Sequence, residues 1–179
     1  MNPSPREIGD EWANQLVADW LDSDFQPSPQ VIRQRGWSAL VVADCLNAME
    51  AEWLAESIAS IAPETVCGIG LEYRSKPDIC FLVPERDSLL NYNSSNSWRY
   101  VMLTSPDNEY LYFKDEANRF FLLCGPSEFV AQAYKCSWDT ARIMYFDFWC
   151  DSENKSEDEK RYLKFVWEKY SVFRCPVPN

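Results

Sequence analysis

The 179-residue sequence has no histidine and only five glycines. Without histidine the chain loses the side chain whose ordinary pKa lies near neutrality, and with it the commonest general base and metal ligand. Its seven cysteines include no Cys-x-x-Cys pair, so neither a zinc site nor a thioredoxin-like motif is written here. They are odd in number, and several sit in apolar runs such as Ile79-Cys80-Phe81 and Leu123-Cys124. Reduced, buried thiols are therefore expected. No apolar run approaches the ~20 residues that span a bilayer. The polar start Met1-Asn2-Pro3-Ser4-Pro5 lacks a basic-then-apolar signal pattern, and a cytoplasmic location is the expectation.

Other chemistry is missing too. Gly68-Ile69-Gly70 lacks the third glycine and the following helix of a dinucleotide fingerprint, and reads as a tight strand crossing. Gly125-Pro126-Ser127 does not make a nucleophile elbow. No phosphate loop, EF-hand spacing or metal cluster is legible, so no cofactor and no metal are expected. Basic residues are too few and too dispersed to track nucleic-acid phosphates, which argues against direct nucleic-acid binding.

What is present is acid and aromatic. Twenty-eight Asp and Glu against seventeen Lys and Arg give a net charge of -11, alongside eight tryptophans. A hydrophobic fraction of 46% is enough to offset the entropy of ordering a real core. The charge points to a cationic partner or to simple solubility, and together these features favour a binding protein over an enzyme.

The periodicity predicts one α+β domain over 1-179: a helical part over 1-62, a sheet over 65-124 and a second helical part over 126-172. Ser4-Pro5-Arg6-Glu7 reads as a capping box opening the first helix, with Ile8, Trp12, Leu16 and Trp20 at helical spacing. Ser28-Pro29 opens a short helix closed by Gly36. Residues 44-61 read as helix, stopped by Pro63; the lead-in Trp37 to Ala43 fits either a strand or an earlier part of this helix, and helix is the assignment preferred. Five strands then follow with short connections, at 65-72, 78-83, 98-104, 109-114 and 119-124, implying a mainly antiparallel meander. Residues 84-87 read as a brief helical turn, and Asn91 to Ser97 as an exposed loop. Gly125-Pro126 starts another helix, residues 140-150 read as a buried helix, and Ser156-Glu157-Asp158-Glu159 is a capping box for the last one.

Glu50 stands out, because a helical wheel places it inside the apolar arc beside Leu46, Met49, Trp53 and Leu54. A carboxylate there must pair, protonate or open onto a cleft. A structural ion pair to Arg74 or Arg99 is one reading; a general acid or base in a carboxylate-dependent hydrolase or transferase is the other. The remaining acids cluster. Asp19, Asp22 and Asp24, then Glu52 and Glu56, then Asp147 and Asp151 are candidate partner-binding residues that would steer a basic protein onto aromatic anchors. Solvated faces account for such clusters equally well. A peptide-binding adaptor or a DNA mimic remains a further alternative.

The stretch Glu109-Tyr110-Leu111-Tyr112-Phe113-Lys114-Asp115-Glu116-Ala117-Asn118-Arg119-Phe120-Phe121-Leu122-Leu123-Cys124-Gly125-Pro126-Ser127-Glu128-Phe129-Val130 reads as a hairpin displaying aromatic residues, then a Gly-Pro-x-Glu-Phe-Val turn into a helix. In this it resembles small cytoplasmic immunity proteins of bacterial polymorphic and contact-dependent toxin systems. The resemblance implies a non-catalytic inhibitor that binds a cognate toxin domain, such as a basic nuclease, and occludes its active site or substrate groove. It implies a role and transfers no particular binding residue.

Overall fold

The computed structural model describes residues 8-62 and 64-174. It contains a single six-stranded sheet in the order β1-β6-β5-β4-β2-β3, with helices on both faces. The strands are β1 (Ser38–Ala43), β2 (Val66–Leu71), β3 (Asp78–Leu82), β4 (Tyr100–Thr104), β5 (Leu111–Lys114) and β6 (Phe120–Gly125). Every pairing is antiparallel. The fold is α+β, and the sheet has six strands where five are expected from sequence.

The sixth strand is β1, which the sequence reading places in a helix. Short apolar runs do not distinguish the two by pattern alone. Here Ser38-Ala39-Leu40-Val41-Val42-Ala43 lies antiparallel to β6, from Ser38 opposite Gly125 to Ala43 opposite Phe120. Its alternating side chains feed opposite cores: Ala39 and Val41 one, Leu40 and Val42 the other.

One face of the sheet is covered by α1 (Asp10–Trp20), α2 (Pro29–Gln34), a π-helical segment at Met144–Cys150 and α7 (Glu157–Ser171). Leu16, Trp20, Ile32, Leu163, Val166 and Tyr170 pack there on Phe113, Phe120 and Leu122. The two ends of the described chain interlock on this face. Tyr170 Oη donates to the Pro27 carbonyl at 2.7 Å, and Gln26 Nε2 donates to Tyr162 Oη at 2.8 Å. The opposite face carries α3 (Ala48–Ile61), α4 (Arg86–Ser95), α5 (Ser127–Ala133) and α6 (Trp138–Ile143).

Several helix ends follow their sequence signals. Ser28 caps α2 with Pro29 in the first turn, and Gly36 adopts φ +63° beyond it. Ser156 and Glu159 form the expected capping box of α7. The Ser4–Glu7 box and Pro63 lie outside the described residues; α1 starts at Asp10 after an extended Gly9.

Residues 91-97 are a correction. Instead of an exposed loop, most of this tract is the second half of α4, with Asn93 and Asn96 buried. Asn93 Oδ1 accepts from Tyr112 Oη at 2.8 Å, while its Nδ2 donates to the Leu89 carbonyl at 3.0 Å. Two glycines let this helix approach β2. A Cβ on Gly68 would stand 2.9 Å from the Tyr92 ring, and one on Gly70 would stand 2.8 Å from Asn96 Oδ1. The Gly-Ile-Gly run thus serves close packing of a helix.

Lys114 finishes the arrangement. Its buried ammonium donates to the Asn96 carbonyl (2.8 Å) and to Asn118 Oδ1 (2.9 Å), a cation at the C-terminal end of α4 where the helix dipole favours one. Burial outweighs the pull of Asp115 and lowers the Lys114 pKa from 10.5 to about 8. Asp115, equally buried, accepts both Nε (2.8 Å) and Nη2 (2.9 Å) of Arg119. No helix among the described residues is long and apolar enough to cross a membrane.

Candidate functional site

The expected site residues fall on three separate elements. Asp22 is turned inward. Its Oδ1 accepts the backbone N–H of Asp24 (2.9 Å) and Gln26 (3.3 Å), and its Oδ2 pairs with Lys169 at 2.7 Å. Asp24 lies 3.6 Å from the same ammonium. These two acids fasten the α1–α2 loop to α7. Asp19 stays on the surface, accepts from Gln15 Nε2 at 2.7 Å, and borders a groove of about 560 Å³ with Trp12 and Arg35.

Glu52 and Glu56 are brought together. Successive turns of α3 aim them into a groove of about 490 Å³, completed by Glu85, Arg86 and Asp87 at the start of α4. Arg86 approaches Glu52 at 3.6 Å, and Lys135 pairs with Glu56.

Glu50 does not pair with an arginine. It is the third residue of a capping box whose N-cap is Asn47. Glu50 Oε2 accepts the Asn47 backbone N–H at 3.0 Å, and Asn47 Oδ1 accepts the Glu50 N–H at 3.0 Å. Arg99 bonds Asp78 (2.6 Å) and Glu72 (3.3 Å) instead. Burial raises the Glu50 pKa, the Asn47 N–H opposes that, and nearby Asp44 adds to it. A buried acid in an apolar arc is here a helix cap.

Asp147 and Asp151 occupy a different setting. The apolar run at 140-150 is expected to form a buried helix, but it divides in two. Tyr145 and Cys150 are buried, with Phe146 and Trp149 packed beside them. Ile143 (47% exposed), Met144 (46%) and Phe148 (68%) face outward. Their spacing at 143, 144 and 148 shares a side with the exposed Asp147 and Asp151. From Met144 the chain winds as a π-helix, and the Asp151 N–H reaches back to the Phe146 carbonyl at 2.9 Å. Such segments are rare and concentrate at functional sites.

The result is an apolar patch flanked by carboxylates, with Asp151 also 3.2 Å from Lys164. Sequence reasoning finds the two aspartates and misses the three apolar neighbours. The signal was Asp147, the one charge from Ile143 to Cys150, which marks the solvent side. Trp98 is more exposed, at 81%, but its sequence neighbours are Ser97 and Arg99.

The hairpin in the 109-130 stretch also needs correcting. Tyr110, Tyr112, Phe113, Phe120 and Phe121 are buried rather than displayed, because β5 and β6 are central strands covered on both faces. The turn into α5 does form as expected, with Phe129 stacked on Tyr110 at 4.9 Å.

The thiols divide likewise. Cys67, Cys124 and Cys150 are buried, but Cys45 and Cys80 are exposed. Cys80 lies on β3, an edge strand that the helices leave largely uncovered. Burial pushes the Cys67 thiol up to about 11, as fits a packing residue. Among the described residues, no three Cys, Asp or Glu side chains gather closely enough to hold a metal ion. No protein family, curated protein or solved structure matches the chain.

Proposed function

We propose that this protein is a non-catalytic inhibitor of the immunity type, which occludes a basic toxin domain in the bacterial cytoplasm. One observation carries the reading: the outward patch of Ile143 at the end of α6 with Met144 and Phe148 on the π-helical turn that follows, flanked by Asp147 and Asp151. Interfaces of this kind draw most of their binding energy from a few desolvated aromatic or aliphatic anchors, while charges at the rim set encounter rate and specificity. A net charge of -11 would steer a cationic partner, and the acidic groove at Glu52 and Glu56 adds to that field. Asp22 and Glu50, both engaged internally, take no part in the contact.

The test is co-expression with the toxic product of a neighbouring gene, followed by binding kinetics on the purified pair. Phe148→Ala is expected to speed dissociation roughly 10- to 100-fold, matching an anchor of about 1.4–3 kcal/mol. Asp147→Asn with Asp151→Asn is expected to slow association and flatten its salt dependence. Neutralisation and kinetics unchanged by all three substitutions would refute the assignment of this surface. Failure of the wild-type chain to neutralise would refute the inhibitor reading itself.

A further inference from the structure

The two edges of the sheet are finished differently. The outer edge of β1 is closed by the chain beyond α7, where the Ala39 N–H donates to the Phe173 carbonyl at 2.8 Å. At the other end, β3 pairs only with β2 among the described residues. Exposed edges are ordinarily blunted by a charge, a proline or a bulge, because their unpaired backbone groups template another strand. β3 holds one charge, Asp78, which is paired with Arg99 at 2.6 Å, and prolines stand at 77 and 84; between them Ile79-Cys80-Phe81-Leu82-Val83 carries neither charge nor proline. Phe81 and Val83 are 55% and 48% exposed, and Cys80 is exposed as well.

We infer that β3 pairs with β3 of a second copy of this chain, joining two sheets across a two-fold axis through Phe81. Self-complementarity selects the occupant. Residues 79, 81 and 83 share one face by strand alternation, and residues 80 and 82 share the other. Antiparallel pairing centred on Phe81 sets Ile79 opposite Val83, Cys80 opposite Leu82 and Phe81 opposite itself. All five positions then meet apolar partners on the matching face. Centring on Cys80 would set Asp78 against Leu82 and Pro77 against Val83.

Charge points the same way. The chain carries -11 overall, yet residues 74-87 balance Arg74, Lys76 and Arg86 against Asp78, Glu85 and Asp87. Two copies therefore meet at this edge without the repulsion that the rest of the surface would impose. Backbone pairing of this kind follows the same physics as strand addition by a peptide.

Sedimentation equilibrium on the full chain tests this. The wild type is expected to associate to twice its 20.9 kDa mass at micromolar concentration, and Phe81→Lys to return it to monomer. Val83→Lys is the second disrupting variant, should the first not fold; Arg161→Ala, at an exposed position of α7, should leave association unchanged. For the register, Phe81→Cys in a Cys80→Ser background is expected to cross-link across the axis on mild oxidation, since directly opposed residues lie within disulfide reach. A wild type monomeric at 100 µM on the order-of-magnitude scale of specific dimers, or a dimer that survives both lysine variants, overturns the proposal. Capture of a different protein's strand by a monomeric chain would likewise overturn it.

Discussion

Substitution of Asp115 by alanine should expose how much of the fold rests on the β5–β6 turn. Its carboxylate is 1% exposed and accepts four hydrogen bonds: Arg119 Nε and Nη2 at 2.8 and 2.9 Å, and the backbone N–H groups of Ala117 (3.2 Å) and Arg119 (3.3 Å). Removing it strands a guanidinium and two backbone donors. Breaking one side of a buried ion pair costs about 3–5 kcal/mol. Arg119 keeps 27% of its side chain in water and lies 4.1 Å from the centre of the Tyr162 ring, so the lower end applies, about 3 kcal/mol. Asp115→Asn keeps the shape and part of the acceptor capacity, and should cost about half as much.

Urea unfolding at pH 7, followed by tryptophan fluorescence and far-UV circular dichroism, would measure both losses. The turn also accepts from elsewhere: the Arg119 carbonyl takes hydrogen bonds from Trp149 Nε1 at 2.6 Å and from the Asp44 N–H at 3.2 Å. Near-UV dichroism should therefore change in the folded Asp115→Ala protein. Replacing both partners, as Asp115→Leu with Arg119→Met, should cost less than Asp115→Ala alone, because no charge is left stranded. A loss below 1 kcal/mol for Asp115→Ala on the scale of surface pairs would refute the reasoning.

Two further substitutions probe the contact between α4 and the sheet. Gly68→Ala drives a methyl against the Tyr92 ring and should cost about 1–3 kcal/mol, with Tyr92→Leu recovering much of it in the double variant; equal losses in both backgrounds would contradict the close-approach account. Lys114 has its pKa depressed from 10.5 to about 8, so between those pH values the unfolded chain binds more protons and the lysine's contribution to stability rises with pH. Relative to Lys114→Met, the wild type should gain about 1 kcal/mol per pH unit in that window, measured as the difference between paired urea curves because buried thiols and phenols such as Cys67 lose stability over the same range. A difference independent of pH would show that the ammonium is not desolvated.

Much of the fold is readable locally. Proline-in and glycine-out signals place α2, Ser156 and Glu159 place α7, and β-branched and aromatic runs place β2 to β6. What escapes is set by distant partners. Trp37 to Ala43 is compatible with strand or helix, and β1 is a strand because β6 lies beside it. The tract 91-97 looks like a loop because asparagine and serine are poor helix formers; Gly68, Gly70, Tyr112 and Lys114 stabilise it from other elements. At the candidate site the limit is of another kind. The motif Asn47-x-x-Glu50 is itself a capping signature, so that acid could have been explained in advance. The siding of 143-150 is marked in the sequence only by Asp147, and the change of helical pitch from Met144 onward is not encoded by apolar periodicity at all.

The pairing of β1 with β6 also governs when the molecule can be completed. On a ribosome, Ser38 emerges long before Gly125, its partner across the ladder. Until β6 arrives, β1 has no neighbour, and Leu16, Trp20 and Ile32 lack the sheet face and the α7 side chains that bury them. Of the intervening strands, β2 pairs with β3 across residues 72-77 and β4 with β5 across residues 105-110, and these hairpins can form first, whereas joining distant segments is entropically slow. The N-terminal third therefore stays without its packing partners until β6 and α7 have been made. Deletion of α7 should leave that third unsatisfied and the chain insoluble, because α7 is made long after the α1–α2 loop that it locks in place.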